Sequence, residues 1–371
     1  MRLHSIQFLR AIAALLVVYS HSIDLQMKFS VSHQQKFLHV ENFGAIGVDI
    51  FFAISGFIIT FIGNTHKGSE SALNFLIKRF LRINPIFYVA SLVYLCLMII
   101  LKWTNNLIAP DGYFVNAIID SLFIIPIAGQ IEAYVPLLIV TWTLSFEWLF
   151  YILFIVLILF RSNQKALHLL IVLPLLVAVG YFIPFKDFRW TFITNPIILE
   201  FLLGVIVCWF YLNKKVSNSI AYLLLFFGLL CYLLQIWYGY GKISEVQSVL
   251  NGELSLKRFI VWGIPSACLV AGCIFLEKNA VFEKVWRWQI FQLLGDASYS
   301  IYLVHLSVFL VLHLMYLKLG FFMNPDLSIF VHVLIAAVVS VAFYLFIERP
   351  LLRMLTGWFS QRSEAVLSRA A

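Results

Sequence analysis

Charge is scarce in this sequence. Of its 371 residues only 12% are Asp, Glu, Lys or Arg, against 62% hydrophobic, and the mean hydropathy is +0.95. A water-soluble globular domain, about a quarter charged, is thereby excluded. Polar stretches long enough to form such a domain are missing as well, since the longest interruptions between apolar runs are residues 102–138 and 239–257. The five cysteines (Cys96, Cys208, Cys231, Cys268, Cys273) show no paired metal-ligand spacing and all fall inside apolar runs. Packing is their expected role, and no metal is expected. Neither a repeat of about 20 to 50 residues nor inverted symmetry between the halves is visible, which weakens a secondary-transporter reading.

What is present is a series of apolar segments, each long enough to cross about 30 Å of hydrocarbon as a helix. Ten are expected, at 5–25, 43–63, 80–101, 139–160, 166–184, 193–212, 219–238, 258–276, 297–318 and 328–348. The fold class that follows is an all-α polytopic membrane protein. With the N-terminus inside, 17 of the 26 Lys and Arg residues fall on the cytoplasmic side and 9 outside. This bias predicts that both termini are cytoplasmic. The formal net charge of +8 is thus a topology signal toward the lipid bilayer, and no nucleic-acid partner is expected. Segment 1 outruns a signal-peptide core, contains Arg10 and lacks a small-x-small cleavage site, so it is expected to stay attached. Residues 1–350 read as one membrane domain and 351–371 as a short cytoplasmic tail. The stretch FVNAIIDSLFIIPIAG, 114–129, is apolar but too short to span and is expected to be re-entrant or interfacial.

Ionisable side chains inside spans cost roughly 2.5 to 3.5 kcal/mol each on insertion scales, so each calls for a partner or a task. Arg10 and His21 stand eleven positions apart, about three turns plus 20°, and therefore share one face about 16 Å apart along the axis. GVDIFFAISGF (47–57) puts Asp49 about two turns deep, within expected reach of His21, whose ring it would orient. In the same stretch Ser55 and Gly56 read chiefly as small packing residues. TWTLSFEWLFY (141–151) places Glu147 near mid-membrane, a candidate for acid/base work or a neutral bridge between helices. LGDASYSIYLVH (294–305) carries Ser298, Tyr299 and Tyr302 on one helix and brings His305 to mid-membrane. Glu200, in NPIILEFLLG, and Glu348, beside Arg349, are further candidates, the latter with an ion pair as its plain explanation. KRFLRINP (78–85) clusters Lys78, Arg79 and Arg82 at the cytoplasmic mouth of segment 3, where guanidinium forks suit phosphate and also satisfy the charge bias.

Together these stretches resemble the membrane-bound acyltransferase 3 family over nearly the whole chain. The basic residue, ten positions and histidine of its first span are matched by Arg10 and His21. The G-x-D-x-F-F-x-x-S-G-F pattern stands at Gly47 to Phe57, R-x-x-R-x-x-P at Arg79, Arg82 and Pro85, and W-x-L-x-x-E at Trp142 to Glu147. LG-x-x-SY-x-IYL-x-H runs from Leu294 to His305, and E-R-P from Glu348 to Pro350. Six motifs in order make coincidence implausible. The nearest type is the compact exopolysaccharide acetyltransferase, because larger relatives add an extracytoplasmic SGNH domain not found within these residues.

The resemblance implies O-acyl transfer from acetyl-CoA to a hydroxyl of an exported or surface carbohydrate, lipid-linked or not, in a bacterial inner membrane. Acetyl is the default acyl group, and succinyl occurs in the family. In that scheme Arg10, Arg79 and Arg82 hold the donor phosphates. His21 acts as base or brief acyl carrier, while Asp49 or Glu147 orients it. Ser55, Tyr299, Tyr302, His305, Glu200 and Glu348 are second-tier site residues, and partners extend to polysaccharide-assembly proteins or further copies of the chain. Two other readings remain open. A proton-coupled transporter or flippase of a lipid-linked saccharide would use the same Asp, Glu and His residues as a relay, and a structural subunit of an export complex would use them to bind helices together.

Overall fold

Lipid offers a backbone no hydrogen-bond partner, so apolar runs of this length fold as helices. The computed structural model describes residues 2–29, 43–64, 66–103, 113–124, 126, 131, 134, 136–183, 185–319 and 325–370. Among them ten helices are long and apolar enough to cross a membrane. They are α1 (His4–Gln26), α2 (Phe43–Gly63), α3 (Gly68–Trp103), α4 (Ile139–Leu159), α5 (Lys165–Phe182), α6 (Phe188–Asn213), α7 (Asn218–Tyr238), α8 (Ser255–Phe275), α9 (Ser298–Tyr316) and α10 (Asp326–Phe359). No strand occurs among the described residues. The chain is an all-α multi-pass membrane protein.

Each helix matches one expected apolar run, and the differences lie at the ends. α3 begins at Gly68 rather than near residue 80, so Lys78, Arg79 and Arg82 sit inside a helix of 36 residues. A hydropathy boundary marks where lipid would begin, whereas a helix goes on as long as its backbone bonds are made. For the same reason the last helix passes Pro350 without stopping. The short apolar stretch forms the helix Tyr113–Phe123, held by a bond from the Tyr88 hydroxyl to the Leu122 carbonyl, 3.0 Å, and by the Ser145 hydroxyl on the Ile124 carbonyl. Residues 125 and 127–129 of that stretch lie outside the described residues.

Burial sorts the helices into rings. In α2, α6 and α8, 67% of the span is buried, whereas in α5 and α7 only 17% is, so the latter two form the outer, lipid-facing layer. Exposed aromatics gather at their C-terminal ends, Tyr181 and Phe182 on α5 and Trp237 and Tyr238 on α7, as side chains at a lipid–water boundary do.

α2 meets two neighbours backbone to backbone. A Cβ added to Gly47 would lie 2.2 Å from the Ala13 carbonyl oxygen of α1, and one added to Gly56 would lie 2.0 Å from the Phe201 carbonyl oxygen of α6. Gly204 of α6 reciprocates against the Ala53 carbonyl at 2.1 Å. Small residues that let two helices touch in this way are a main source of helix association in lipid, where burial from water offers little. At its start α1 is capped by Glu277, whose carboxylate accepts from the His4 and Ser5 amides at 2.7 and 2.9 Å and meets the positive end of the helix dipole.

The Gly56 contact is the sharper test of this packing. Gly56→Leu should cost about 3 kcal/mol or more, because the opposing atom is backbone and cannot turn aside. Gly357→Ala, where nothing lies within 4 Å of the new Cβ, should leave the thermal midpoint of the detergent-solubilised protein unchanged. Equal midpoints for the two variants would refute the close α2–α6 approach.

Candidate active site

One cavity of about 350 Å³ opens between α1, α2, α3, α4, α9 and α10. Its walls carry the cationic candidates Arg10, Arg79 and Arg82, the anionic Glu147, Glu348 and Asp296, the last paired with Arg2, and the hydroxyl-bearing Ser55, Tyr299 and Tyr302. Most of the residues singled out from sequence thus meet in one place.

Each is delivered by local geometry. Arg79 and Arg82, three apart on α3, share a face, while Lys78 points outward and is exposed. Arg79 is buried against the rings of Phe75 and Tyr151, at 5.2 and 5.9 Å, and its Nε has no hydrogen-bond partner. Arg10 donates from Nε to the Ser298 hydroxyl at 3.1 Å. No carboxylate of the described residues lies within ion-pair distance of these three guanidiniums. Glu147 is held differently, since the hydroxyls of Ser55 (3.2 Å) and Tyr151 both donate to its Oε1. Ser55 is therefore a partner of the site as well as a small residue beside the α2–α6 contact. Tyr299 donates to the Ile83 carbonyl at 2.9 Å, one residue from Arg82.

Glu348 corrects an expectation. Its neighbour Arg349 faces away and is exposed, and Glu348 instead takes the Ser300 hydroxyl. It ends a π-helical turn, Tyr344–Glu348, an irregularity that rotates a side chain out of the register a regular helix would give it and recurs at functional sites.

Asp49 corrects another. It was expected beside His21, but its carboxylate is gripped by Arg258, at 3.0 Å from Nε to Oδ1 and 2.8 Å from Nη2 to Oδ2. Both side chains are wholly buried. Arg258 also donates to the carbonyls of Ile243 and Ala45, and it lies over the rings of Trp262 and Trp142. Glu200 belongs to this group rather than to the cavity. It is packed against Gly263, where an added Cβ would come within 3.1 Å of its Oε1. Arg258 was missed in the sequence because it stood at the expected edge of a span, where a basic residue needs no explanation. Tryptophan at 142 and 262 was the available signal, since guanidinium groups stack on indole.

His21 and His305 form a pair of their own. Their rings stack with centroids 5.1 Å apart, and His305 Nε2 lies 3.1 Å from His21 Nδ1. Arg10–Ser298 and His21–His305 together show that α1 and α9 run in the same direction, with a polar contact at each level. Neither histidine lines the cavity. Tyr302 does, one turn before His305, with its ring 6.4 Å away. The single cleft expected to hold both His21 and the guanidiniums is thus interrupted at Tyr302, whose hydroxyl is tied to Thr143 and to the Val140 carbonyl at 2.7 and 2.8 Å. The carboxylate whose charge acts on His21 is Asp24, one turn farther along α1, not Asp49 or Glu147. Three positions on one helix face was the signal that sequence reading passed over.

A family profile described as an acyltransferase domain matches residues 3–349. The chain belongs to the acyltransferase 3 family. It is similar to exopolysaccharide production protein ExoZ of Rhizobium meliloti (strain 1021), 31% identical over 316 residues, which cover 85% of this chain and 92% of that protein. It is also similar to O-acetyltransferase OatA of Staphylococcus aureus (strain NCTC 8325 / PS 47), 26% identical over 339 residues, which cover 83% of this chain and 52% of OatA. The chain thus spans about half the length of OatA. No solved structure matches. Membership in an acyltransferase family favours transfer chemistry over the transport and purely structural readings.

Breaking the Asp49–Arg258 pair should be costly whichever partner is removed. Asp49→Ala leaves a buried guanidinium without its counter-charge, and about 3 to 5 kcal/mol of stability should go with it. Asp49→Leu combined with Arg258→Met should recover much of the loss, read as the thermal midpoint in detergent. A single variant as stable as the parent would mean that the pair does not form.

Proposed function

We propose that this protein transfers an acetyl group from acetyl-CoA to a hydroxyl of an exported carbohydrate, from a bacterial inner membrane in which the Arg10 end faces the cytoplasm. The observation that carries the reading is the cavity with three guanidiniums, none paired with a carboxylate of the described residues. A buried cation is normally ion-paired or hydrogen-bonded to saturation; Arg79 is buried with an unpartnered Nε, and with half-buried Arg10 and exposed Arg82 in the same cavity it suits a polyanion from outside the chain. Coenzyme A brings phosphates and a long uncharged arm. Arg10, Arg79 and Arg82 would hold the phosphates at the cavity mouth, where Arg82 is exposed, and the arm would run along Glu147 and Tyr299 toward Tyr302.

At Tyr302 the thioester would stand next to the histidine pair. His21 takes the proton of the acceptor hydroxyl, whose oxygen bonds to the acyl carbon as the C–S bond breaks. The proton then passes to the departing sulfur, and charge is balanced throughout. The alternative, a brief acyl group on His21, uses the same ring. Tyr302 must shift or be bypassed for donor and histidine to meet. Glu147 is the second acid/base candidate, because its Oε2 receives no donor from the described residues and so is free to accept a proton in the cavity. The name of ExoZ supports a polysaccharide acceptor and that of OatA an acetyl group. Asp49, held by Arg258, is proposed as a support of the fold instead of a reacting group.

Two measurements test this reading. In nanodiscs with acetyl-CoA and a carbohydrate acceptor, His21→Ala should abolish acetyl transfer while keeping the parent's thermal midpoint, and retained turnover would remove His21 from the chemistry. Arg79→Ala with Arg82→Ala should raise KM for acetyl-CoA at least about tenfold, since each charge-assisted bond to phosphate contributes about 1.5 to 3 kcal/mol. An unchanged KM would assign these arginines to topology alone.

A further inference from the structure

The histidine pair carries more than proximity. His305 Nδ1 lies 3.0 Å from the carbonyl oxygen of Ile301, one turn earlier on α9. A carbonyl oxygen only accepts, so the proton of a neutral His305 ring sits on Nδ1 and its Nε2 carries the lone pair. That Nε2 faces His21 Nδ1 at 3.1 Å. Two lone pairs cannot bond, and so His21 must donate from Nδ1. A backbone acceptor at Val17, one turn back on α1, lies within reach of the same ring. The only nitrogen of His21 left with a lone pair is Nε2.

Other protonation patterns fit worse. Placing the His305 proton on Nε2 sets its Nδ1 lone pair against the Ile301 carbonyl. Protonating both rings sets two cations with centroids 5.1 Å apart and turns two N–H donors on one another at 3.1 Å, with no acceptor between them. His305 itself is fully buried and lies off the cavity, so it is placed to act through His21 and not on a substrate.

We propose that His305 is a positioning residue that holds His21 in the Nδ1–H tautomer, so that His21 Nε2 is the atom that takes the acceptor's proton. The inference rests on the reading of His21 as the reacting group. The acceptor O–H bond breaks, its proton moves to His21 Nε2 and its electron pair forms the new C–O bond. The thioester C–S pair leaves on sulfur, which then receives the proton from Nε2. Throughout, His21 Nδ1–H stays on His305 Nε2, and Asp24 supplies a nearby negative charge for the imidazolium. A histidine held in the wrong tautomer is known to lose several orders of magnitude in rate with little change of geometry.

The tautomer can be read without any turnover. In protein labelled with ¹⁵N-histidine and held in nanodiscs, with signals assigned by their loss in His21→Gln, His21 should show a protonated Nδ1 coupled across a hydrogen bond to His305 Nε2, and an unprotonated Nε2. A resting His21 protonated at Nε2 overturns the proposal. His305→Gln, whose amide oxygen restores an acceptor near the same point, should keep kcat within about tenfold. His305→Phe keeps a ring in the stack but no acceptor, and kcat should fall at least about 100-fold with KM for acetyl-CoA unchanged. A His305→Phe variant with the parent's kcat overturns the proposal, as does one whose loss is all in KM. Turnover retained by His21→Gln would sink the underlying reading and this inference with it, whereas an inactive His21→Gln with Nε2 protonated in the parent sinks the tautomer assignment alone.

Discussion

Backbone contact at Gly47 and Gly56 is the constraint on which this bundle depends. Those two glycines let α2 lie against the main chains of α1 and α6 at once, and a helix so held can neither slide nor rotate without steric overlap. The side chains between them are then aimed without freedom. Asp49 turns toward Arg258, the Phe52 ring meets that of Phe201 at a tilt with centroids 4.6 Å apart and Ser55 reaches Glu147. One short stretch thus reaches an ion pair, an aromatic core and the cavity wall, and each of its distinctive residues has a physical reason to be there.

The charges of the interior divide into two kinds. Asp49 and Arg258 satisfy each other, and Arg258 binds two further carbonyls belonging to other parts of the chain, so the pair ties together α2, α8 and the segment before α8. Such a pair contributes specificity of arrangement more than net stability. Arg10, Arg79 and Arg82 are the opposite case. Arg10 is held by Ser298 and Arg79 by Phe75 and Tyr151, none of the three has a carboxylate of the described residues within ion-pair distance, and that arrangement leaves room for a counter-charge from a ligand.

Between the arginines and the histidine pair stands Tyr302. It closes the cavity at one end, and its hydroxyl is tied to the first turns of α4. Arrangement along α9 is therefore a sequence of tasks at successive turns, with Ser298 for Arg10, Tyr302 for the partition and His305 for His21. The parallel course of α1 and α9 matches these levels to one another.

The sequence by itself determined that ten helices would cross the membrane, because apolar length and the demands of an unpaired backbone in lipid are local properties that no neighbour can change. It also determined that Arg10 and His21 share a face, which follows from helical pitch alone, and that Arg79 and Arg82 point together. Only the tertiary structure decided who answers whom. Asp49 is about as deep in the sequence pattern as His21, yet its partner is Arg258, 209 positions away, and the ring that meets His21 comes from α9. Partnership between buried polar groups depends on the order of helices around the bundle and on the rotation of each about its axis. Close contacts at a few glycines and the π turn before Glu348 fix those quantities, and neither leaves a periodic trace in the chain.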